Sequence, residues 1–266
     1  MPHSDIDHEL VSAAQAGSAA KVSELLACGA DPRSSNSAAL RVAACYGHAE
    51  CVELLLPALD AKAPDCEELR HGSEALIGAA RYGRAECVRM LLPVSDPRAN
   101  GSHALQLAAC YGHAECVRLL VPVSDAKADE SFALSEAAKN GHVECARMLL
   151  PDSDPKAGDF YALLLAAEGG HVECVRLLLA ASSPLCEVGG LLEKVLKSGQ
   201  VRVAALLIEE EPGLLDGVDL SKCLAEALKE DRGDLASYLL AIMDQKELME
   251  VGEAAAACGG RGNARL

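Results

Sequence analysis

Apolar positions in this chain recur in two short helical patterns separated by a glycine. Seven residues before each break stands a leucine: Leu10, Leu40, Leu76, Leu105, Leu134, Leu163, Leu192 and Leu224. Three and four residues after it lies a pair of small residues, as in Ala43-Ala44, Ala79-Ala80, Ala108-Ala109, Ala137-Ala138 and Ala166-Ala167. That spacing predicts a short helix whose alanine face lets a neighbour approach closely. The break is Gly17, Gly47, Gly83, Gly112, Gly141, Gly170 or Gly199, with Asp231 in the eighth place. A second pattern follows, H-x-E-C-V-R-x-L-L in its fullest form, and its last leucine stands eight residues after the break: Leu25, Leu55, Leu91, Leu120, Leu149, Leu178, Leu207 and Leu239. This predicts a second helix, stopped by Pro57, Pro93, Pro122 and Pro151.

From Gly83 to Gly199 the spacing is a constant 29 residues. Self-similarity at such a period is the mark of a stacked repeat architecture, in which no unit buries its apolar face alone. The consensus L-x-x-A-A-x-x-G-H-x-E-C-V-R-L-L resembles the ankyrin-repeat signature, and Gly29-Ala30-Asp31 matches that family's exit from the second helix. The resemblance runs over roughly residues 5–249, in about eight copies. It implies an all-α solenoid of stacked helix-turn-helix units filling residues 1–249. The tail 250–266 is expected to be disordered.

Two departures from the family matter. Its repeats run ~33 residues, and the shortfall here lies between proline and next leucine, where PVSDAKADESFAL leaves little room for a hairpin finger. The family's T-P-L-H helix start is also replaced, for example by Ser-His-Ala-Leu at 102–105. The fingers are therefore expected to be mostly reduced to loops. The exception is the 36-residue step from Gly47 to Gly83, whose insert at 63–72 is a candidate for a full or extended finger.

Composition narrows the function. The chain has no Trp and two Phe, so its core must be Ala, Leu, Val and Cys, and its formal charge of −16 argues against nucleic-acid binding. About half of that excess sits at 187–253, which reads as a solvated end of the stack. No apolar run is long enough for a membrane span, and the start lacks the basic and apolar regions of a secretory signal. A cytoplasmic monomer with reduced thiols, no membrane association and no cofactor is the expectation. The sequence holds no phosphate loop, no G-x-S-x-G and no H-E-x-x-H, so it is not read as an enzyme.

The stretch CYGHAEC occurs at 45–51 and 110–116 and could suggest a metal or redox site on Cys45, His48, Cys51, Cys110, His113 and Cys116. The repeat divides it differently. Cys51, Cys87, Cys116, Cys145 and Cys174 recur as small apolar residues. His48, His113, His142 and His171 resemble the family's Gly-His, which implies support of the turn. The D-x-K/R loops, such as Asp125/Lys127, and the recurring Glu and Arg of the second helix are equally regular. Regular features are assigned to fold upkeep, because a site for one partner should vary from copy to copy.

The residues before each break do vary: Cys45-Tyr46, Arg81-Tyr82, Cys110-Tyr111, Lys139-Asn140 and Glu168-Gly169 in successive copies. The Cys-Tyr pairs are expected to face outward. In the family this end of the first helix faces a concave, partner-binding groove. The candidate contacts are Tyr46, Tyr82, Tyr111, Arg41, Arg81, Gln106, Lys139, Asn140 and Glu168, with tyrosines as the natural hot spots. The resemblance thus implies a protein-protein interaction module. It also implies a variant of that reading, since compact repeats of this kind resemble bacterial and protist chains, some of which are effectors acting on host proteins.

Overall fold

The computed structural model describes residues 3–58, 66–182, 190–210 and 212–244. Helices come in antiparallel pairs. The first helices are α1 (His3–Gln15), α3 (Ser34–Tyr46), α5 (Cys66–Arg81), α7 (Ala99–Cys110), α9 (Ala128–Lys139), α11 (Ala157–Glu168), α13 (Leu191–Ser198) and α15 (Leu220–Lys229). Each is followed by its partner: α2 (Ala19–Ala27), α4 (Ala49–Ala58), α6 (Ala85–Leu91), α8 (Ala114–Leu120), α10 (Val143–Leu149), α12 (Val172–Ser182), α14 (Val201–Glu210) and α16 (233–244). No strand occurs among the described residues. The proposed tail at 250–266 lies outside them.

The leucine rule holds inside the core. Fifteen of the sixteen repeating leucines are buried, and the exception, Leu224, is half-buried beside the buried Cys223. The alanine pairs from Ala43-Ala44 to Ala166-Ala167 have no exposed surface. From α1 to α11, where the alanine pairs lie, adjacent first helices touch more extensively than adjacent second helices do. The second helices interlock through Cys, Val and Leu instead, as in Cys116, Val117 and Leu120.

The turn between the helices of a pair is a Schellman motif. In the fourth pair, Gly112 N–H donates to Ala109 O at 3.2 Å and His113 N–H to Ala108 O at 2.9 Å, with Gly112 at φ +73°. Asp231 makes the same turn at φ +56°, which a short polar side chain tolerates. Its neighbour Arg232 N–H reaches Ala227 O at 2.9 Å.

Two sequence expectations need correcting. Pro57 does not stop its helix, since α4 continues to Ala58. Helices α6 and α10 do end just before their prolines, each running into a short 3₁₀ turn. The 63–72 insert is not a strand-built finger: from Cys66 onward it belongs to α5, while 63–65 lie outside the described residues. Gly72, at its end, packs so closely that a Cβ there would meet Val94 O at 2.4 Å.

Where a finger would project, the chain makes one left-handed turn. Asp129, Glu130 and Ser131 have φ of 50°, 57° and 61°, and the same turn recurs at 35–37, 100–102 and 158–160. Left-handed backbone costs roughly 1–2 kcal/mol for each residue with a Cβ. At 100–102 and 129–131 part of the offset comes from a serine that the turn aims inward, and Ser73 makes the same kind of bond from the regular helix α5. Buried Ser73, Ser102 and Ser131 accept the backbone N–H of Asp96, Asp125 and Asp154, each 23 residues on, at 3.0, 2.8 and 2.8 Å. Each of those aspartates accepts from the backbone N–H two residues later, at 2.9 Å, an Asx turn that accounts for the D-x-K/R pattern. Ser131→Ala should therefore strand the Asp154 N–H and destabilise the stack by about 1–3 kcal/mol. An unchanged urea midpoint for that variant would show that the serine column is ornamental.

Candidate functional site

The site begins with how one pair is tied to the next. The Schellman turn satisfies the carbonyls of Ala108 and Ala109 but leaves that of Cys110 without a partner inside its own helix. His142 of the following pair supplies it: its Nε2–H donates to Cys110 O at 3.1 Å. The same bond joins His48 to Gln15 O (3.0 Å), His113 to Arg81 O (3.0 Å) and His171 to Lys139 O (2.9 Å). Arg84 serves Cys45 O, Gln200 serves Glu168 O and Arg232 serves Lys197 O. Because a carbonyl only accepts, each ring is held as its Nε2–H form. Each also lies flat over the preceding glycine: a Cβ at Gly112 would stand 2.5 Å from His142 Nδ1.

These ties fix the ends of the first helices, and there the three tyrosines emerge. Tyr46, Tyr82 and Tyr111 are 53%, 51% and 46% exposed, unusually open for large aromatic side chains. Their other halves pack along the stack. Tyr46 stacks on His48 with ring centroids 6.1 Å apart and accepts from Gln15 Nε2 at 3.4 Å; Tyr111 stacks on His113 at 6.4 Å. The Arg81 guanidinium lies 5.6 Å from the Tyr82 centroid and 5.7 Å from that of Tyr111. Arg81, Tyr82 and Tyr111 are thus one cluster spanning two pairs.

The other candidates divide. Lys139, Asn140 and Glu168 are exposed and continue the row on α9 and α11. Lys139 Nζ lies 3.4 Å from Glu136, and Asn140 Nδ2 donates to Glu136 O at 2.8 Å. Arg41 is half-buried and pairs with Glu74 of the next pair at 2.8 Å. Gln106 does not belong to the surface. It is 8% exposed, and its amide donates to Gly101 O and to Asp129 Oδ2, both at 2.8 Å. The left-handed turn brings Asp129 within reach of it, a contact that no spacing along the chain announces.

The outward placement of Cys45 and Cys110 is also corrected. Both are half-buried, and a Cβ on Gly78 would meet Cys45 Sγ at 2.5 Å, so that sulfur is packed on the next first helix. Burial pushes both thiols up in pKa; nearby Arg41, Arg81 and Arg84 pull Cys45 down by less. In CYGHAEC, then, one sulfur packs on a neighbouring helix, the imidazole ties the previous turn, and Cys51 or Cys116 fills the core. Among the described residues no three His, Cys, Asp or Glu side chains converge on one point.

Sequence reading passed over two features. Phe132 and Tyr161, at the starts of α9 and α11, are 38% and 45% exposed. Their 29-residue separation, the repeat period, was the available signal. The half-buried Val42, Leu107 and Leu165 share one slot on α3, α7 and α11 and make the first-helix face beside the tyrosine row partly apolar.

Comparison with known families agrees with this geometry. A family model for ankyrin repeats in three copies matches residues 10–100 and 93–159, and a single ankyrin-repeat model matches 158–188. The search of curated proteins found no match.

Proposed function

The chain belongs to the ankyrin-repeat family, whose members are generally protein-protein interaction modules, and on that premise we propose that it binds a protein partner through the face formed by its first helices. The observation that carries this reading is the row of half-exposed Tyr46, Tyr82 and Tyr111, one per pair, at the helix ends. Three rings anchored on one side by histidine or arginine offer rigid amphipathic area on the other, the profile of an interface anchor. The more extensive contact between first helices than between second helices, from α1 to α11, favours a stack that bends around this face. The partly apolar Val42, Leu107 and Leu165 deepen it.

The reading is non-catalytic and involves no nucleic acid, in keeping with the charge of −16. No described helix is long and apolar enough to cross a membrane. The family matches stop at residue 188, but we also count α13–α14 and α15–α16 as repeats of the same domain, because Gln200 and Arg232 make the same tie to the preceding turn.

Tyr46→Ala, Tyr82→Ala and Tyr111→Ala, each used as bait against extract of the native cell, test the proposal. At least one should weaken capture of the wild-type partner by tenfold or more, a hot-spot effect, while its thermal midpoint stays within a few degrees. Undiminished capture by all three, or a midpoint that falls in step with binding, would return the tyrosines to stack packing alone.

A further inference from the structure

Resting on that reading, we propose that the partner segment is acidic and seats a carboxylate on Arg81, between Tyr82 and Tyr111. The surface here is charged against the trend of the molecule. Along the C-terminal halves of α3, α5 and α7 the charged side chains are Arg41, Glu74 and Arg81, and Arg84 follows immediately. Glu74 is engaged by Arg41 at 2.8 Å. Arg81 has no carboxylate partner among the described residues; two tyrosine faces hold it instead. Three arginines are close enough together to bear on the single thiol of Cys45.

This island sits in a chain of net charge −16, and the acidic α13–α16 lie further along the stack, beyond α11. At physiological salt the Debye length is ~8 Å, so a segment lying on α3–α7 feels the arginines beneath it and not the acidic end of the stack. A guanidinium steadied by aromatic faces keeps its donor fork pre-organised, and that fork matches a carboxylate in two places at once. A lysine or arginine in the partner would instead face Arg81 and Arg84, with Arg41 already paired to Glu74. The flanking tyrosines and the apolar Leu107 suit a segment that alternates acidic with apolar or aromatic residues.

The test uses a display library of random 12-residue peptides, selected on the full chain at 150 mM salt and sequenced. Enrichment of Asp and Glu is expected on the wild type and its loss on Arg81→Ala, with the best acidic peptide bound about tenfold or more weaker by that variant, the scale of one hydrogen-bonded charge contact. Arg81→Glu should shift enrichment toward Lys and Arg. Circular dichroism and melting of both variants control for folding, which this exposed side chain should leave unchanged. Peptides that lack acidic enrichment but lose binding in Tyr111→Ala would overturn the acidic partner and leave the tyrosine face standing. Peptides indifferent to both Arg81 and Tyr111 would overturn both, and so would a selection that enriches nothing.

Discussion

Replacing Gly112 with alanine should destabilise the protein by about 2–4 kcal/mol, more than an ordinary surface substitution by far. Two causes act at once. The residue holds φ +73°, where a Cβ costs roughly 1–2 kcal/mol. The new methyl would also stand 2.5 Å from His142 Nδ1 and push the ring off the Cys110 carbonyl, a loss of about 1–3 kcal/mol if that oxygen is left unpaired. A double variant separates the two. His142→Ala beside Gly112→Ala removes the clash but not the backbone strain, so the pair should be less destabilising than the sum of the singles. Urea unfolding of the four proteins checks this. Strict additivity would mean that ring and glycine are independent, and the cross-pair tie would then not be a structural unit.

The second large effect is alkaline. Burial pushes the thiols of Cys116, Cys145 and Cys174 up to about 11, from an ordinary value near 9. Below pH 9 both folded and unfolded chains keep these protons, and the stability is fully present. Between pH 9 and 11 the unfolded chain gives them up while the folded one retains them, so stability falls by up to about 1.4 kcal/mol per thiol for each pH unit. Above about 11 both states are ionised and this contribution flattens. Lysine and tyrosine titrate nearby, so the comparison is with Cys116→Val, Cys145→Val and Cys174→Val combined, since valine keeps the small apolar character of the site. Urea midpoints between pH 8 and 11 should fall more steeply in the wild type. Parallel curves would show that the sulfurs do not stay protonated in the core. The same burial disfavours the thiolate that nucleophilic attack and metal ligation require.

Much of the architecture was legible in the sequence, and the reason is repetition. A leucine kept at one distance from a glycine through eight copies can hardly be anything but a core position, and fifteen of the sixteen proved buried. Asp231 could be placed at the eighth turn because the flanking leucines held their distances even where glycine was gone. The tyrosine row was visible by the opposite logic, as variation at one slot of a regular pattern.

What stayed hidden were contacts between residues about 23 or 32 apart, which depend on how far each pair is rotated against the next. The histidines were expected to support their own turn; stacking places each ring on the turn before it. Gln106 sits in a variable slot, yet a left-handed turn in the next pair carries Asp129 to it and buries it. Cys45 stands beside an exposed tyrosine in sequence, and only the absence of a side chain on Gly78 decides that its sulfur turns inward. The 63–72 insert had the length for a finger but became the start of a longer helix from Cys66. Periodicity therefore determined which residues are core, which turn the chain and which vary, since these depend on a residue's place within its own helix. The tertiary structure alone decided which varying residues are free to meet a partner, because that depends on what the neighbouring pair places against them.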